Sequence, residues 1–554
     1  MRAEFWATPL PGPGTTDGFA NPPVAFPWSA VPLPSPARST LPQTKTSSEH
    51  KNIMITTALG ALWHHLVAWV DLQGTLVFLS VLIMAKYLKD FPHRDLPPGP
   101  VPLPLVGSLF SIGFKDPIGG FRKLVETYGD VSFIDLGFAP CILLSGYKSF
   151  KEAFVEQAEH FTDRPDYPLA QKFCKGLGII ASSGNIWKHQ RRFALATLKY
   201  FGVGKKTLER SIQQESQYLI ETLQLERGLP FNPKHLMTNS VANIICMLVF
   251  GHRFEYSDHD FQHLLKCSDE VFQLPMTTSG RLYNQWPTLM QYLPGGHQSA
   301  FANLTRVKQF IQQEVDRHRE DRNPDSPRDY IDCYLDEIEK CTDPSAGFTE
   351  ENLMYCVVDL FGAGTETTAN SMRWALLFMA NHPDVQEKVH SEIDRVIGPS
   401  RQPSMDDRAA LPYTYAVVHE IQRCGNIVPF TPPRVASRDT TVAGRQIPKG
   451  LVILPMLKPI LYDVSEYSRP EEFNPSHFLD EDGKFIKRDN FIPFGIGKRA
   501  CPGEQLARME LFLFFTSLMQ RFSFQAPEGE TLVAEGVVGI TSGPKPFKIC
   551  ATPR

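Results

Sequence analysis

Near the C-terminal end, the run Pro493-Phe494-Gly495-Ile496-Gly497-Lys498-Arg499-Ala500-Cys501-Pro502-Gly503-Glu504 gathers residue types that can hold a metal through sulfur. Two glycines let the loop approach a flat ligand closely. Pro502 suits the first position of a helix and Glu504 its first turn, and Leu506, Met509 and Leu513 then share one apolar face. Cys501 is therefore expected at or beside a helix N-terminus, where unpaired amides and the helix dipole favour a thiolate. A thiolate axial ligand pushes electron density onto haem iron and favours O–O cleavage. Arg499, two residues earlier, is in reach of a haem propionate. The plainer reading is a free cysteine at a helix start.

A second constellation lies at Phe361-Gly362-Ala363-Gly364-Thr365-Glu366-Thr367-Thr368, midway along a helix expected from about 350 to 381. Each interior glycine costs about 1 kcal/mol relative to alanine. Thr367 can bond back to a carbonyl one turn earlier and bend the helix. An acid–hydroxyl pair in so weakened a helix suggests a groove for dioxygen, with Thr367 and Glu366 organising proton delivery. The alternative is a close helix crossing over small residues.

Three smaller patterns complete the set. Glu420 and Arg423 put opposite charges three apart on one helix face, which by itself reads as an exposed ion pair worth about 0.3–0.5 kcal/mol. Trp187 and Arg191, four apart, offer an indole N–H and a cation that can clamp a carboxylate, or form an ordinary exposed pair. Arg164 in Phe161-Thr162-Asp163-Arg164 and Arg434 in Pro432-Pro433-Arg434 are isolated cations beside short turns.

Phe494, Gly497, Arg499, Cys501 and Gly503 together spell F-x-x-G-x-R-x-C-x-G, which resembles the haem-binding signature of the cytochrome P450 superfamily at every fixed position. The stretch Ala363–Thr368 resembles its oxygen-activation motif, with Thr367 as hydroxyl and Glu366 as acid. Glu420-Ile421-Gln422-Arg423 is similar to its ExxR motif, which buttresses the haem loop. Pro470–Phe478 resembles the partner segment, with His477 where many members have arginine. Trp187/Arg191, Arg434 and Arg164 look like its propionate contacts. Likeness also runs through Trp187–Gly204, Asn243–Tyr256 and Gln505–Arg521, nearest to the vertebrate microsomal family 2 enzymes and the branch that epoxidises arachidonic acid.

The elements that must position these residues are legible in outline. Apolar residues recur at helical spacing near 205–226, 299–319, 350–381, 383–397 and 411–424, and strand-like runs lie at 131–135, 141–145 and 451–455. The body, 105–554, reads as one large, mainly α domain with small β-sheets, the cytochrome P450 fold. Before it, 91–104 is a proline-rich stiff arm and 53–90 an apolar membrane anchor, best over 66–85 and weakened by Asp71 and Gln73. Lys86, Lys89 and Arg94 then favour a cytosolic body, hence the endoplasmic reticulum membrane. Residues 1–52 are rich in Pro, Ser and Thr and read as a disordered extension; initiation at Met54 and a transit peptide are the alternatives.

Composition excludes other classes. Fifty-six basic against 60 acidic residues, a net charge of -4, gives no basic footprint for nucleic acid. No pair among the 10 cysteines has CxxC spacing, which argues against zinc, and a reducing compartment suits them.

The resemblance implies haem b as cofactor and electrons from NADPH through a separate flavoprotein, NADPH-cytochrome P450 reductase, with cytochrome b5 as a second partner. It implies a lipophilic substrate, foremost a polyunsaturated fatty acid such as arachidonic acid, with xenobiotics and steroids as other options. Phe361, Ala363, Val428, Pro432 and Ile540 are the pocket positions by family placement. Lys188, Arg192, Lys498 and Arg508 are expected to form a basic face for the reductase. A haem-thiolate peroxide isomerase would have no use for Glu366 and Thr367, and a non-catalytic haem sensor would have no need of them.

Overall fold

The computed structural model describes residues 47–90 and 96–554, apart from 105, 114, 115 and 138. The expectation for 1–46 therefore lies outside the described residues. Two compact units divide at Leu82. The first contains most of a 44-residue helix, α1 (Ser47–Asp90), which takes in 47–52 as well as the expected anchor. Ser47, Ser48 and Glu49 suit a helix start. No helix of the described residues is long and apolar enough to cross a membrane. Even so, Leu72, Leu76, Val77, Phe78, Val81 and Leu82 of α1 are all exposed.

The second unit is dominated by helices. Those that matter here are α2 (Gly184–Tyr200), α3 (Lys206–Gln224), α4 (Lys234–Val249), α5 (His259–Gln273) and α6 (Gly296–Asp321). They continue with α7 (Tyr330–Lys340), α8 (Glu350–Asn381), α9 (Pro383–Val396), α10 (Pro412–Gly425) and α11 (Glu504–Arg521). The five expected helical stretches thus coincide with α3, α6, α8, α9 and α10. The longest of them, α8, starts where the Thr349 side chain accepts from Asn352 N, with Glu350 and Glu351 in the first turn. It ends at His382, and Pro383 opens α9. Leu353, Val357, Leu376 and Met379 of α8 are fully buried and pack with Ile244 and Ile245 of α4 and Leu513 and Phe514 of α11 in the main core.

Strands β1 (Val131–Asp135), β2 (Pro140–Leu144), β3 (Arg434–Val435) and β4 (Val452–Pro455) form a four-stranded sheet in the order β1-β2-β4-β3. The β2–β4 pair is parallel, with Cys141 opposite Val452, and its neighbours are antiparallel. Strands β5 (Phe522–Gln525) and β8 (Cys550–Pro553) pair antiparallel, as do β6 (Gly536–Val538) and β7 (Ser542–Pro544). The small-sheet expectation holds. The arm is docked rather than free over its described part: Phe133 N donates to Pro98 O at 2.9 Å, and Pro97 and Pro100 are buried. A side chain at Gly99 would meet the Phe133 carbonyl at 1.9 Å, so this proline segment lies flat on β1.

Candidate functional site

The cysteine loop is shaped by a glycine that nothing else can replace. Gly497 has φ +77, and a Cβ there would stand 1.8 Å from the Phe154 carbonyl oxygen. The turn it makes returns the chain so that Cys501 N donates to Phe494 O at 2.9 Å. Helix α11 begins at Glu504 with Gly503 at its cap, so Pro502 sits in the turn before the helix rather than at its first position. Leu506, Met509 and Leu513 are buried together, as their spacing predicts.

Burial pushes the Cys501 thiol up, and the Glu504 carboxylate adds to this, while the Gly503 and Glu504 amides and the Arg191 charge pull the other way. The residue is nevertheless exposed. A thiol crowded by protein atoms and still reachable by solvent is open to a ligand.

Four guanidinium groups line that neighbourhood. Arg499 donates to Thr162 O (2.8 Å), Ser182 O (2.5 Å) and Ile179 O (3.3 Å), and its guanidinium carbon lies 4.0 Å from the centre of the Trp187 ring. Arg164 donates to Ile180 O (2.9 Å), Pro432 O (2.7 Å) and Pro433 O (2.8 Å). Arg191 donates to Ala500 O at 2.6 Å, beside the cysteine. Arg434 is buried in β3 over the Phe154 ring.

None of the four pairs with a carboxylate among the described residues. Burial and mutual repulsion depress them: Arg499 to about 8, Arg434 to about 9 and Arg164 to about 10, while burial alone lowers Arg191. Two buried N–H groups here, Trp187 Nε1 and Arg434 Nε, have no protein partner. Orphaned donors and uncompensated cations call for anions. An exposed sulfur ligand with such donors nearby fits an iron porphyrin carrying two carboxylates.

Behind the loop, Glu420 and Arg423 are fully buried, not an exposed pair. Arg423 binds Glu420 through two bonds of 2.7 Å and reaches Leu461 O (3.1 Å), Pro470 O (2.7 Å) and Glu472 O (3.0 Å). Glu420 also accepts from Asn474 N at 2.8 Å. His477 completes the cluster, with Nδ1 at 3.1 Å from Glu420 Oε1 and Nε2 at 2.7 Å from Ser468 O.

On α8 the helix runs unbroken through the glycines. A Cβ at Gly362 would collide with Phe272 (1.9 Å) and one at Gly364 with Ile245 (2.5 Å). These glycines serve a close crossing with α4 and α5, the plainer of the two readings, rather than a breach in the helix. The Thr367 hydroxyl donates back to Ala363 O at 2.7 Å, as its position predicts. Glu366 Oε1 accepts from Thr541 Oγ1 at 2.6 Å, and burial raises its pKa.

The pocket positions divide. Phe361 is buried in the main core, with its ring 6.3 Å from that of Phe250. Val428 and Ile540 are half-buried, and so is Ala363; Pro432 is exposed and spends its carbonyl on Arg164. Sequence reasoning missed Thr541 and Asp359. Asp359 Oδ2 accepts from Ile179 N (2.7 Å) and Ile180 N (2.8 Å), fixing the loop whose carbonyls Arg164 and Arg499 hold. An acid two turns before Glu366 on the same helix is the only local hint of it.

Comparison with known proteins agrees with this geometry. The family model described as Cytochrome P450 matches residues 97–551. The chain is 47% identical over 495 residues to Cytochrome P450 2J2 of Homo sapiens, covering 89% of this chain and 98% of that one. It is 46% identical over 505 residues to Cytochrome P450 2J3 of Rattus norvegicus, covering 90% and 100%. Against Cytochrome P450 2C23 of Rattus norvegicus the identity is 44% over 475 residues, covering 85% and 96%. The chain belongs to the cytochrome P450 family, within the microsomal family 2 group, and is a haem-thiolate monooxygenase.

Proposed function

We propose that this chain inserts one oxygen atom into lipophilic substrates, foremost polyunsaturated fatty acids such as arachidonic acid, with Cys501 as the iron ligand. The carrying observation is the solvent-open Cys501 thiol near four guanidiniums, two buried and two half-buried, that form no ion pair with a carboxylate among the described residues. Haem, once bound, supplies oxygen activation. The chain's own residues do the rest. Arg164, Trp187, Arg191, Arg434 and Arg499 would hold the two propionates, balancing their charge. Gly503 and Glu504 amides hold charge on the sulfur. Glu366 holds and releases a proton, and the Thr367 hydroxyl, whose own hydrogen goes to Ala363 O, presents its oxygen as an acceptor nearby. Apolar surface at Ala363, Val428 and Ile540 suits a lipid chain.

Electrons come from NADPH through the reductase. Lys188 and Arg192 on α2 are exposed and offer its docking face, with cytochrome b5 as a second visitor. Lys498 pairs with Glu159, and Arg508 with Glu504 at 2.9 Å, so these two contribute less. The exposed apolar run Leu72–Ile83 of α1 supports anchoring in the endoplasmic reticulum membrane, with 105–554 as the catalytic domain on the cytosolic side.

Membranes containing the chain, supplemented with reductase, are incubated with a lipid panel with and without NADPH. NADPH-dependent epoxides and alcohols of arachidonic acid are the expected outcome; turnover confined to steroids or drugs would redirect the substrate assignment. The Cys501→Ala variant is expected to lose the reduced, carbon-monoxide absorption band of the superfamily. A band unaltered in that variant would remove Cys501 from the iron.

A further inference from the structure

The turn between β6 and β7 carries Thr541, whose hydroxyl donates to Glu366 Oε1 at 2.6 Å. Asn370 Nδ2 donates to the same hydroxyl oxygen at 3.2 Å. A hydroxyl has one hydrogen, so with Asn370 on its acceptor side that hydrogen is committed to the carboxylate. Asn370 is in turn aimed by Arg373 Nη1, which donates to its Oδ1 at 2.7 Å, and Arg373 Nη2 donates to Pro544 O at 2.8 Å.

The hairpin is fixed on α8 by further contacts. Trp374 Nε1 donates to Ser542 O at 3.0 Å, and Ser542 N to Ile427 O at 2.7 Å. A Cβ at Gly543 would stand 2.6 Å from Asn370 Oδ1 and 3.0 Å from Arg373 Nη1, so a side chain there would displace the ends of both. Thr541 is buried.

We infer that Thr541 is a positioning residue for Glu366, holding the carboxylate toward the C-terminal hairpin and favouring its charged form between proton deliveries. The inference rests on the reading of Glu366 as the acid. A relay acid must pass back and forth between its charged and neutral forms, and it works best with its pKa near the working pH. Burial drives Glu366 toward the neutral form, and the Thr541 hydrogen bond is the foremost influence against that. The other groups facing Glu366 are Asp269 on α5, which opposes its charge, and Lys234 at the start of α4 and Arg373 on α8, which favour it. Lys234 and Asp269 pair at 2.8 Å on the half-exposed side and largely offset one another. Thr541 is therefore the neighbour whose removal changes the balance most.

The test uses the full-length holoenzyme as wild type, Thr541→Val, Thr541→Ser and Glu366→Gln. Infrared difference spectra across pH follow the protonated carboxyl signal that Glu366→Gln removes, and the fraction of NADPH electrons reaching product rather than hydrogen peroxide is followed over the same range. Thr541→Val is expected to raise the carboxyl midpoint by about one pH unit, the scale of losing one donor to a carboxylate, and to move the alkaline limb of coupling by the same amount. Thr541→Ser, which keeps the donor, should restore both. If Thr541→Val titrates and couples like wild type, the inference fails and Glu366 keeps its role. If Glu366→Gln itself leaves the pH profile of coupling unchanged, the reading of Glu366 as the acid fails instead, and the inference with it.

Discussion

Arg434 places its guanidinium carbon 3.8 Å from the centre of the Phe154 ring, while the carbonyl of that same Phe154 closes the space beside Gly497. One residue therefore supports a buried cation on its side-chain face and the cysteine loop on its backbone. The two features share a foundation but fail differently when altered.

Arg434 is a buried charge with an orphaned Nε and no carboxylate partner among the described residues. Arg434→Met keeps the stem on Phe154 and removes the charge. The haem-free chain is expected to melt higher, because an uncompensated buried cation is gone. Haem is expected to dissociate about tenfold to a hundredfold faster, since a hydrogen bond to a charged group contributes about 1.5–3 kcal/mol. Calorimetry of the haem-free protein and capture of released haem by a scavenger measure the two effects.

Gly497→Ala has no room at φ +77 against Phe154 O. The loop must shift, and Cys501 with it. A loss of about 2 kcal/mol, combining left-handed strain and displaced backbone, is expected, together with haem content well below wild type. Absorbance of the carbon-monoxide complex per mole of protein reads this directly.

Truncating Arg423 would leave Glu420 as an unpaired buried charge. Arg423→Ala is expected to cost about 3–5 kcal/mol and to yield little folded protein. Arg423→Lys keeps the charge but loses the two-bond geometry and the reach to Leu461, Pro470 and Glu472, so it should fall between. Denaturant midpoints rank the three.

Asp359 gives a pH signature. Burial raises it from 3.8 to about 6, against the Ile180 and Ile179 amides and the Arg164 charge. An acid whose folded-state pKa lies above its unfolded one stabilises the fold fully below the unfolded value, near pH 4. That contribution is lost as pH rises through about 6. At about 1.4 kcal/mol per tenfold, it is worth about 3 kcal/mol. Asp359→Asn removes it, so urea unfolding at pH 5 and pH 7.5 should differ less in the variant by about 1.4 kcal/mol, the part of the contribution that remains to be lost above pH 5. An unchanged difference would contradict the assigned burial.

Much of this was legible in the chain. The cysteine loop is contiguous, so its glycines, arginine and sulfur announce themselves at fixed spacing, and α8, α10 and α11 follow from apolar periodicity. Burial of Glu420 and Arg423 was not legible, because a three-residue spacing is the same on a wet face and a dry one. Gly362 and Gly364 looked like a weakened helix until Phe272 and Ile245 filled the space above them. Thr541 meets Glu366 across 175 positions, and no local pattern encodes such a pairing.

Gly543 constrains how this enzyme can diversify. A side chain there would displace the ends of Asn370 and Arg373, the groups that aim Thr541. Ile540, in the turn before the strand that holds Gly543, is only half-buried. Substitutions at the two positions are therefore expected to differ in kind: one alters an apolar surface, the other the support beneath the proton site.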